Sequence, residues 1–394
     1  MLLAPQELIA RFHQSQSQCV LAATGGGSSA IAELLVTPGG SKTVLEALIP
    51  YSAAALAEFL GRQPEHFCDT ETALAMSMVA YLRALKLAAA TPLPGAMQIG
   101  LGCTAALVSD RPRRGGHRGF VAVQTRTRTV LHSLVLKAGA RDRRAEEALV
   151  GRLLLRSLMQ SAGLDDELPL DLTTDESQQQ IQQVGAALLV DLVHGQADLV
   201  WALPDGRLAP ATELRAPPRG VLCGAFHPLH VGHTGLRAAA ERRLGQPVVY
   251  EMTVRNVDKP PLDYLTIHSR RGQFAEHPLA LTRAATFVEK AALFPGATFV
   301  VGTDTAARII EPRYYGNRTD LMHDALAKIR QRNCRFLVAA RLAPNGSVET
   351  LRDLPIPAAA ADLFEQLPVE EFRVDASSTE LRRSTGGREP RLSG

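Results

Sequence analysis

Apolar and polar positions alternate along this chain in the rhythm of two α/β folding regions. In the first, helical spacing covers residues 6–13, and Cys19–Ala23 is an apolar run with the length of a buried strand. That run opens into Thr24-Gly-Gly-Gly-Ser-Ser29, and small apolar residues from Ala30 to Leu35 then recur at helical spacing. Pro38-Gly39-Gly40 marks a turn, after which a helix and a strand lead to Tyr51-Ser52. Residues 70–89 form a long amphipathic pattern, strand patterns follow at 96–103, 119–125 and 129–137, and a charge-rich helix over 142–162 closes the region.

The stretch between Gly163 and Pro218 holds acidic turns, a glutamine run and prolines. Within it, 197–203 and 208–210 flank Pro204-Asp205-Gly206, a hairpin turn signal. From Gly220 the pattern changes to strand 220–224, helix 233–244, strand 247–253, helix 280–293 and strands 297–301 and 335–340. This is the rhythm of a doubly wound, Rossmann-like parallel sheet. The expected organisation is α/β throughout: a domain over 1–163, a linker or connecting subdomain over 164–217, a second domain over 218–385 and a disordered tail over 386–394. No internal repeat is present.

Composition narrows the function classes. The 394 residues suffice for two or three domains, and 46% hydrophobic with 21% charged residues is ordinary for a globular protein. A formal charge of +3 creates no strong field toward nucleic acid or a membrane. The five cysteines are scattered, with no spacing for structural zinc, as suits a reducing compartment. The first residues lack the basic and apolar segments of a signal peptide, and no uninterrupted apolar run approaches ~20 residues. A cytoplasmic protein that handles small molecules, without a membrane or nucleic-acid partner, is the expectation.

Two segments of the second region carry candidate chemistry. In Gly220-Val-Leu-Cys-Gly-Ala-Phe-His-Pro-Leu-His-Val-Gly-His233 a short apolar strand ends in Gly224, where backbone can approach a ligand closely. His230 and His233 then stand at a helix start, where backbone N–H groups and the helix dipole favour an anion. One HxxH alone is more often a capping and core pair. In Asp375-Ala-Ser-Ser-Thr-Glu-Leu-Arg-Arg383 a hydroxyl cluster precedes a helical run, and Arg382 offers a bidentate fork for phosphate. That segment alone is more often a capped surface helix, but the two together are more specific.

The pair resembles the nucleotidyltransferase superfamily of nicotinamide-mononucleotide and pantetheine-phosphate adenylyltransferases and the cytidylyltransferases. Its G-x-F-(D/N)-P-x-(H/T)-x-G-H signature stands here as Gly224-Ala-Phe-His-Pro-Leu-His-Val-Gly-His233, and its I-S-S-T-x-(I/L)-R as Ala376-Ser-Ser-Thr-Glu-Leu-Arg382. The resemblance covers about residues 218–384. It implies that His230 and His233 are catalytic, steadying charge on the α-phosphate, and that Gly224, Ala225, Phe226, Ser377, Ser378, Thr379 and Arg382 bind nucleotide. The implied reaction is attack of an acceptor phosphate on the α-phosphate of a nucleoside triphosphate, releasing pyrophosphate, with Mg²⁺ carried by the nucleotide and no protein metal ligands. The acceptor this implies is nicotinamide or nicotinate mononucleotide; pantetheine phosphate, a CTP-dependent reaction, or a non-catalytic nucleotide sensor are the alternatives.

His227 stands where the family has Asp or Asn, a position that the resemblance implies lies beside the acceptor phosphate. Gly302-Thr-Asp304 resembles the G-x-D segment of the same adenylyltransferases, which puts Asp304 near ribose or base; a capping aspartate is the alternative. Lys259, in Asn256-Val-Asp-Lys-Pro260, could meet a substrate phosphate or be a solvated loop lysine. Arg270 and Arg271 are expected as surface charges, with phosphate contact the lesser alternative.

Residues 5–162 resemble the C-terminal domain of competence-damage-inducible proteins and the nicotinamide-mononucleotide deamidases, through the strand–Gly-Gly–helix start, Pro38-Gly39, Tyr51-Ser52, Gly102–Val123 and Arg141-Asp-Arg143. The departures are specific. Aligned on Thr24-Gly-Gly26, the family's serine nucleophile falls on Ala22 and its glutamate on Leu21, and its lysine falls on Leu56. An amidase serine needs an activating base, and Thr24 or Ser28 could replace it only with a shifted backbone. The first domain is therefore expected to be non-catalytic, sensing nucleotide or supporting a homo-oligomer.

Overall fold

The structure, a computed structural model, describes residues 4–90, 92–110, 115–164, 168–213, 217–257, 259–342 and 347–374. They divide into two units, one of residues 1–190 with 258–266 and one of residues 191–257 with 267 onward. Both are mixed α/β, as the sequence pattern anticipates.

The first unit runs α1 (Pro5–Gln14), β1 (Ser17–Thr24), α2 (Ser28–Val36), α3 (Gly40–Thr43), β2 (Val44–Leu48), α4 (Ala53–Leu60), α5 (Thr70–Ala90), β3 (Met97–Ala106), β4 (His117–Gln124), β5 (Arg128–Leu136), α6 (Arg143–Ser161) and β6 (Ser177–Val184). Its sheet has the order β2-β1-β3-β4-β5-β6, parallel at β2-β1-β3 and antiparallel from β3 onward. Cys19, Leu21 and Ala23 of β1 join Leu101, Cys103, Val121 and Val123 in a core shared with residues of α1, α2 and α6.

The other face of this sheet is covered by α5, which packs on β1, β3 and β4. Gly100 and Gly102 of β3 permit the close approach: a Cβ at Gly100 would lie 2.1 Å from Tyr81 N, and one at Gly102 2.5 Å from Ser77 N. By length and composition α5 could cross a membrane, but here it is a core helix, with Met76, Ala80 and Tyr81 buried.

The segment expected as a linker, 164–217, contributes to both sheets. Its glutamine run is β6, paired with β5 from Arg128↔Val184 to Val135↔Ser177. A largely exposed edge strand made mostly of glutamine, with Ile181 as its one residue packed on the core, carries no apolar alternation, so periodicity alone does not reveal it. After α7 (Ala187–His194), the hairpin of β7 (Leu199–Ala202) and β8 (Leu208–Pro210) forms around Pro204-Asp205-Gly206 and belongs to the second sheet.

That second sheet is built from β9 (Gly220–Cys223), α8 (Val231–Leu244), β10 (Val248–Thr253), α9 (Tyr264–Arg271), β11 (Leu279–Thr282), α10 (Phe287–Leu293), β12 (Thr298–Gly302), α11 (Thr303–Ile309), α12 (Thr319–Gln331), β13 (Arg335–Leu342), β14 (Val348–Glu349), β15 (Phe364–Leu367) and β16 (Arg373–Val374). The order is β14-β13-β12-β9-β10-β11-β7-β8, with β15 and β16 also pairing β13. The five strands from β13 to β11 are parallel, and β7 adds antiparallel to β11. The sequence expected one helix over 280–293. The structure instead has β11, a turn and α10, capped by Thr286 and Glu289. Leu279–Thr282 is buried along its whole length between β10 and β7, and such a short apolar run has no period that separates strand from helix.

β9 lies at the centre. The chain leaves it through α8 to β10 on one side and later returns to β12 on the other, so β9 and β12 flank the topological switch point. Ligands in open α/β sheets bind outside the carboxyl ends of the strands at that point.

Candidate functional site

The loop at the carboxyl end of β9 is held by three separate devices. The Gly224 N–H donates to the Glu251 carbonyl of β10 at 3.0 Å, extending the strand pairing by one residue. Phe226 then turns back with φ 45°, and its ring lies on Gly224, where a Cβ would come within 2.7 Å of it. Glycine is required there by an aromatic ring of the same loop. The Phe226 ring is buried and meets Tyr250, Phe274 and His233 edge-on, with centroids 5.4, 5.1 and 5.1 Å away. Of the expected nucleotide-binding residues, Phe226 thus supports the loop through its ring and leaves only backbone to a ligand; Ala225 is exposed.

The third device is Gln273. Its Nε2 donates to the Phe226 carbonyl (3.1 Å), and its Oε1 accepts from the Leu229 N–H (2.7 Å), bracketing the cis His227–Pro228 bond. Arg270 adds a guanidinium N–H to the Ala225 carbonyl at 3.3 Å. Arg270, expected as a surface charge, therefore acts on the loop itself. Gln273 was not singled out from the sequence: a lone glutamine after a helix end has no spacing that marks it.

His230 and His233 are joined by a reciprocal cap at the start of α8. The His230 Nδ1 accepts from the Gly232 N–H at 3.1 Å, and the His233 Nδ1 accepts from the His230 N–H at 3.3 Å. A ring nitrogen that accepts from backbone carries no proton, so in both neutral rings the hydrogen resides on Nε2. The rings lie 3.9 Å apart. Burial lowers the His230 pKa, and burial together with the neighbouring His230 lowers that of His233 to about 4. At neutral pH the pair is a set of uncharged imidazole donors at a helix N-terminus. His227 is partly exposed, on the same loop.

Beneath the loop, Glu251 and Lys290 form a buried ion pair, with Nζ 2.6 Å from both carboxylate oxygens, and Thr282 donates to Glu251 at 2.5 Å. Cys223, the last residue of β9, lies against this group; burial, then Glu251, push its thiol pKa well up. An inert thiol and a compensated ion pair make this a support.

On the β12 side of the switch point, Thr303 and Asp304 open α11. The Thr303 hydroxyl is buried and finds no hydrogen-bond partner among the described residues. Asp304 forms an ion pair with Arg341 of β13. It does not cap α11, whose N-cap is Gly302, so the capping alternative fails. Lys259 is exposed and belongs to the segment grouped with the first unit. Arg271 donates to the Gly206 carbonyl at 3.4 Å. Ser377, Ser378, Thr379 and Arg382 lie outside the described residues, as does the tail 386–394. In sequence they follow β16, which pairs β13 at Ala340 and Arg341. Among the described residues no group of three or more His, Cys, Asp or Glu side chains could hold a metal ion.

The first unit has its own glycine loop at a carboxyl strand end, and it is internally filled. Glu147 of α6 accepts from the Gly27 N–H (3.0 Å), the Ser29 N–H (3.1 Å) and the Ser28 hydroxyl (2.9 Å), while Arg143 donates to the Gly25 carbonyl (2.9 Å). Ala22 and Leu56, the positions of the implied serine and lysine, lie together in one buried apolar cluster with Leu60 and Met76. Leu21 is in the main core.

No protein-family model matches the chain, and no curated protein matches it either. Solved structures that match part of the chain include the competence/damage inducible protein CihA from Agrobacterium tumefaciens, at 17% identity over 41% of this chain and 98% of that one, TM-score 0.32. A competence-damaged protein (CinA) superfamily protein from Escherichia coli is similar at 16% identity over 40% of this chain and 90% of that one, TM-score 0.30. The competence damage-inducible protein A (ComA) from Klebsiella pneumoniae is similar at 16% identity over 41% of this chain and 98% of that one, TM-score 0.28.

Proposed function

We propose that the second unit is a nucleotidyltransferase, transferring a nucleotidyl group, with ATP the favoured donor, to a phosphate-bearing acceptor, with nicotinamide or nicotinate mononucleotide favoured. The observation that carries this reading is the reciprocal cap of His230 and His233 at the α8 N-terminus, at the switch point of a doubly wound sheet. Two imidazoles with Nδ1 engaged by backbone keep Nε2–H as donor, in a loop fixed by Gln273 and Phe226. Preorganised donors of this kind stabilise charge that grows on a phosphate without reorganising during the reaction. The chemistry is positioning and charge stabilisation: an acceptor phosphate oxygen attacks the α-phosphorus in line, and pyrophosphate leaves. The choice of acceptor rests on the sequence resemblance.

Mg²⁺ fits this reading as a companion of the triphosphate. The described donor set holds neutral imidazoles and backbone, and the Asp304 carboxylate is engaged by Arg341. Mg²⁺ characteristically keeps its waters and binds through substrate phosphates, so no protein residue is assigned to it.

In the first unit, Ala22 and Leu56 lie in a buried apolar cluster where the implied nucleophile and lysine would act, which favours a non-catalytic role.

The test is pyrophosphate release with Mg²⁺, pairing ATP or CTP with nicotinamide mononucleotide, nicotinate mononucleotide or pantetheine phosphate. Release with ATP and a pyridine mononucleotide is expected, falling roughly 100–1,000-fold in His233→Ala. Absence of release with every pair, while ATP still binds, would favour a nucleotide sensor.

A further inference from the structure

The turn that ends α9 grips the His230–His233 loop with three residues. The Gln273 N–H donates to the Arg270 carbonyl at 3.2 Å and the Phe274 N–H to the Arg271 carbonyl at 3.1 Å, so the chain keeps turning where α9 stops. Arg270 donates to the Ala225 carbonyl at 3.3 Å, and Gln273 donates to the Phe226 carbonyl at 3.1 Å. Phe274 meets the Phe226 ring edge-on, with centroids 5.1 Å apart. Two consecutive residues thus hold Phe226 by its carbonyl and by its ring. Its φ of 45° is one that a bulky side chain rarely adopts, and such backbone persists only where the surroundings impose it.

Gln273 also reaches the far side of the loop. Its Oε1 accepts from the Leu229 N–H at 2.7 Å, immediately before His230. Its Nε2 donates in addition to the Arg270 carbonyl at 3.2 Å, which ties the side chain to its own turn. One amide therefore joins the residue that reverses the loop to the residue that delivers His230. The His230 N–H in turn donates to His233 Nδ1 at 3.3 Å, so both imidazoles stand downstream of that link. The link needs a donor and an acceptor on one side-chain end. A carboxylate does not donate, an ammonium or guanidinium does not accept, and asparagine is one methylene short.

We propose that Gln273 is a positioning residue for nucleotidyl transfer, acting through the loop by fixing where the Nε2–H donors of His230 and His233 stand. The proposal rests on the transferase reading of the second unit. Donors of this kind help only if they are already in place when charge grows on the phosphate. A misplacement of ~1 Å costs on the order of 100-fold in rate. An interaction realised mainly in the transition state is lost from kcat and leaves KM nearly unchanged.

The test compares the full-length wild type with two variants. Gln273→Met keeps the length and removes the amide's hydrogen bonds, and Gln273→Glu keeps only an acceptor. Fluorescence of Trp201, in β7 of the same unit, confirms that each is folded. With ATP, Mg²⁺ and the pyridine mononucleotide that supports pyrophosphate release, kcat should fall about 100-fold in Gln273→Met. KM for ATP should change less than about threefold. Gln273→Glu should fare no better, because its carboxylate faces the Phe226 and Arg270 carbonyls. Hydrogen exchange over residues 224–233 of Gln273→Met should quicken at least about tenfold, with β12 at the wild-type rate. An unchanged kcat, a loss confined to KM, or exchange that is unchanged or equally quickened in β12 would each overturn the proposal while the transferase reading stands. No pyrophosphate release by the wild type with any pair would overturn both.

Discussion

Two glycine-containing loops occupy the same architectural position in the two units, each between the carboxyl end of a buried strand and the start of a helix. At the N-terminus of α2 the backbone donors of Gly27 and Ser29 are taken by the chain's own carboxylate, Glu147. At the N-terminus of α8 the cap is an imidazole, and a second imidazole returns the favour to the capping residue. A helix start attracts an anion wherever its N–H groups are exposed. One loop satisfies that demand internally; the other keeps uncharged donors at the edge of its sheet. Glycine richness alone therefore does not mark a ligand loop. The first loop is the richer in glycine, and it is the one that is filled.

The largest expected effect tests how firmly the second loop is held from below. Lys290→Met leaves the Glu251 carboxylate buried without its partner, and should destabilise the second unit by about 3–5 kcal/mol. Trp201, the chain's single tryptophan, lies in β7 of that unit, so its fluorescence in urea follows the transition directly. The double variant Glu251→Gln/Lys290→Met should recover part of the loss. A wild-type midpoint in Lys290→Met would show that the pair does not support the loop.

A smaller effect tests the filling of the first loop. Glu147→Ala removes three donors' partner at a helix start and should cost about 1–3 kcal/mol. It should also open an anion cradle, so added inorganic phosphate should raise the melting temperature of the variant more than that of the wild type. Equal responses would mean the loop closes without Glu147.

The smallest effect is one of pH. The folded His233 pKa is lowered to about 4 from an ordinary 6.5, with burial the leading cause. The unfolded chain therefore binds the proton first, and the contribution to stability is present above 6.5 and lost as pH falls toward 4. Stability of the second unit should rise with pH across that window by roughly 1–2 kcal/mol, given the partial exposure of the ring. His233→Gln should flatten the dependence. His132 in the first unit is also lowered to about 4, by burial and then Arg156, so the measurement again needs the Trp201 signal.

Much of the fold was legible where a segment carries a clear period or a strong punctuation. The apolar run at Cys19–Ala23, the long helix over 70–89 and the turn at Pro204-Asp205-Gly206 all have structural counterparts. What escaped had weak local signals. β6 is mostly glutamine, and its ladder with β5 is what defines it. β11 is four residues long, and its burial between two neighbours suits helix and strand equally well by composition. At the site, the two histidines and the helix start could be read from spacing, but Gln273 and Arg270 act on the loop across some forty residues of chain, which no local pattern records.

The sequence by itself determined that there are two α/β regions and that the second alternates strand and helix around a Gly–Phe–His loop. These follow from residue type and short-range period, which are properties of the chain alone. Tertiary structure decided the strand order that puts β9 beside β12, the aromatic nest that makes Gly224 obligatory, the tautomers of His230 and His233, and the capture of the first loop by Glu147. Each depends on atoms brought within a few ångströms from distant parts of the sequence, and hydrogen-bond direction, burial and proton placement exist only once those atoms meet.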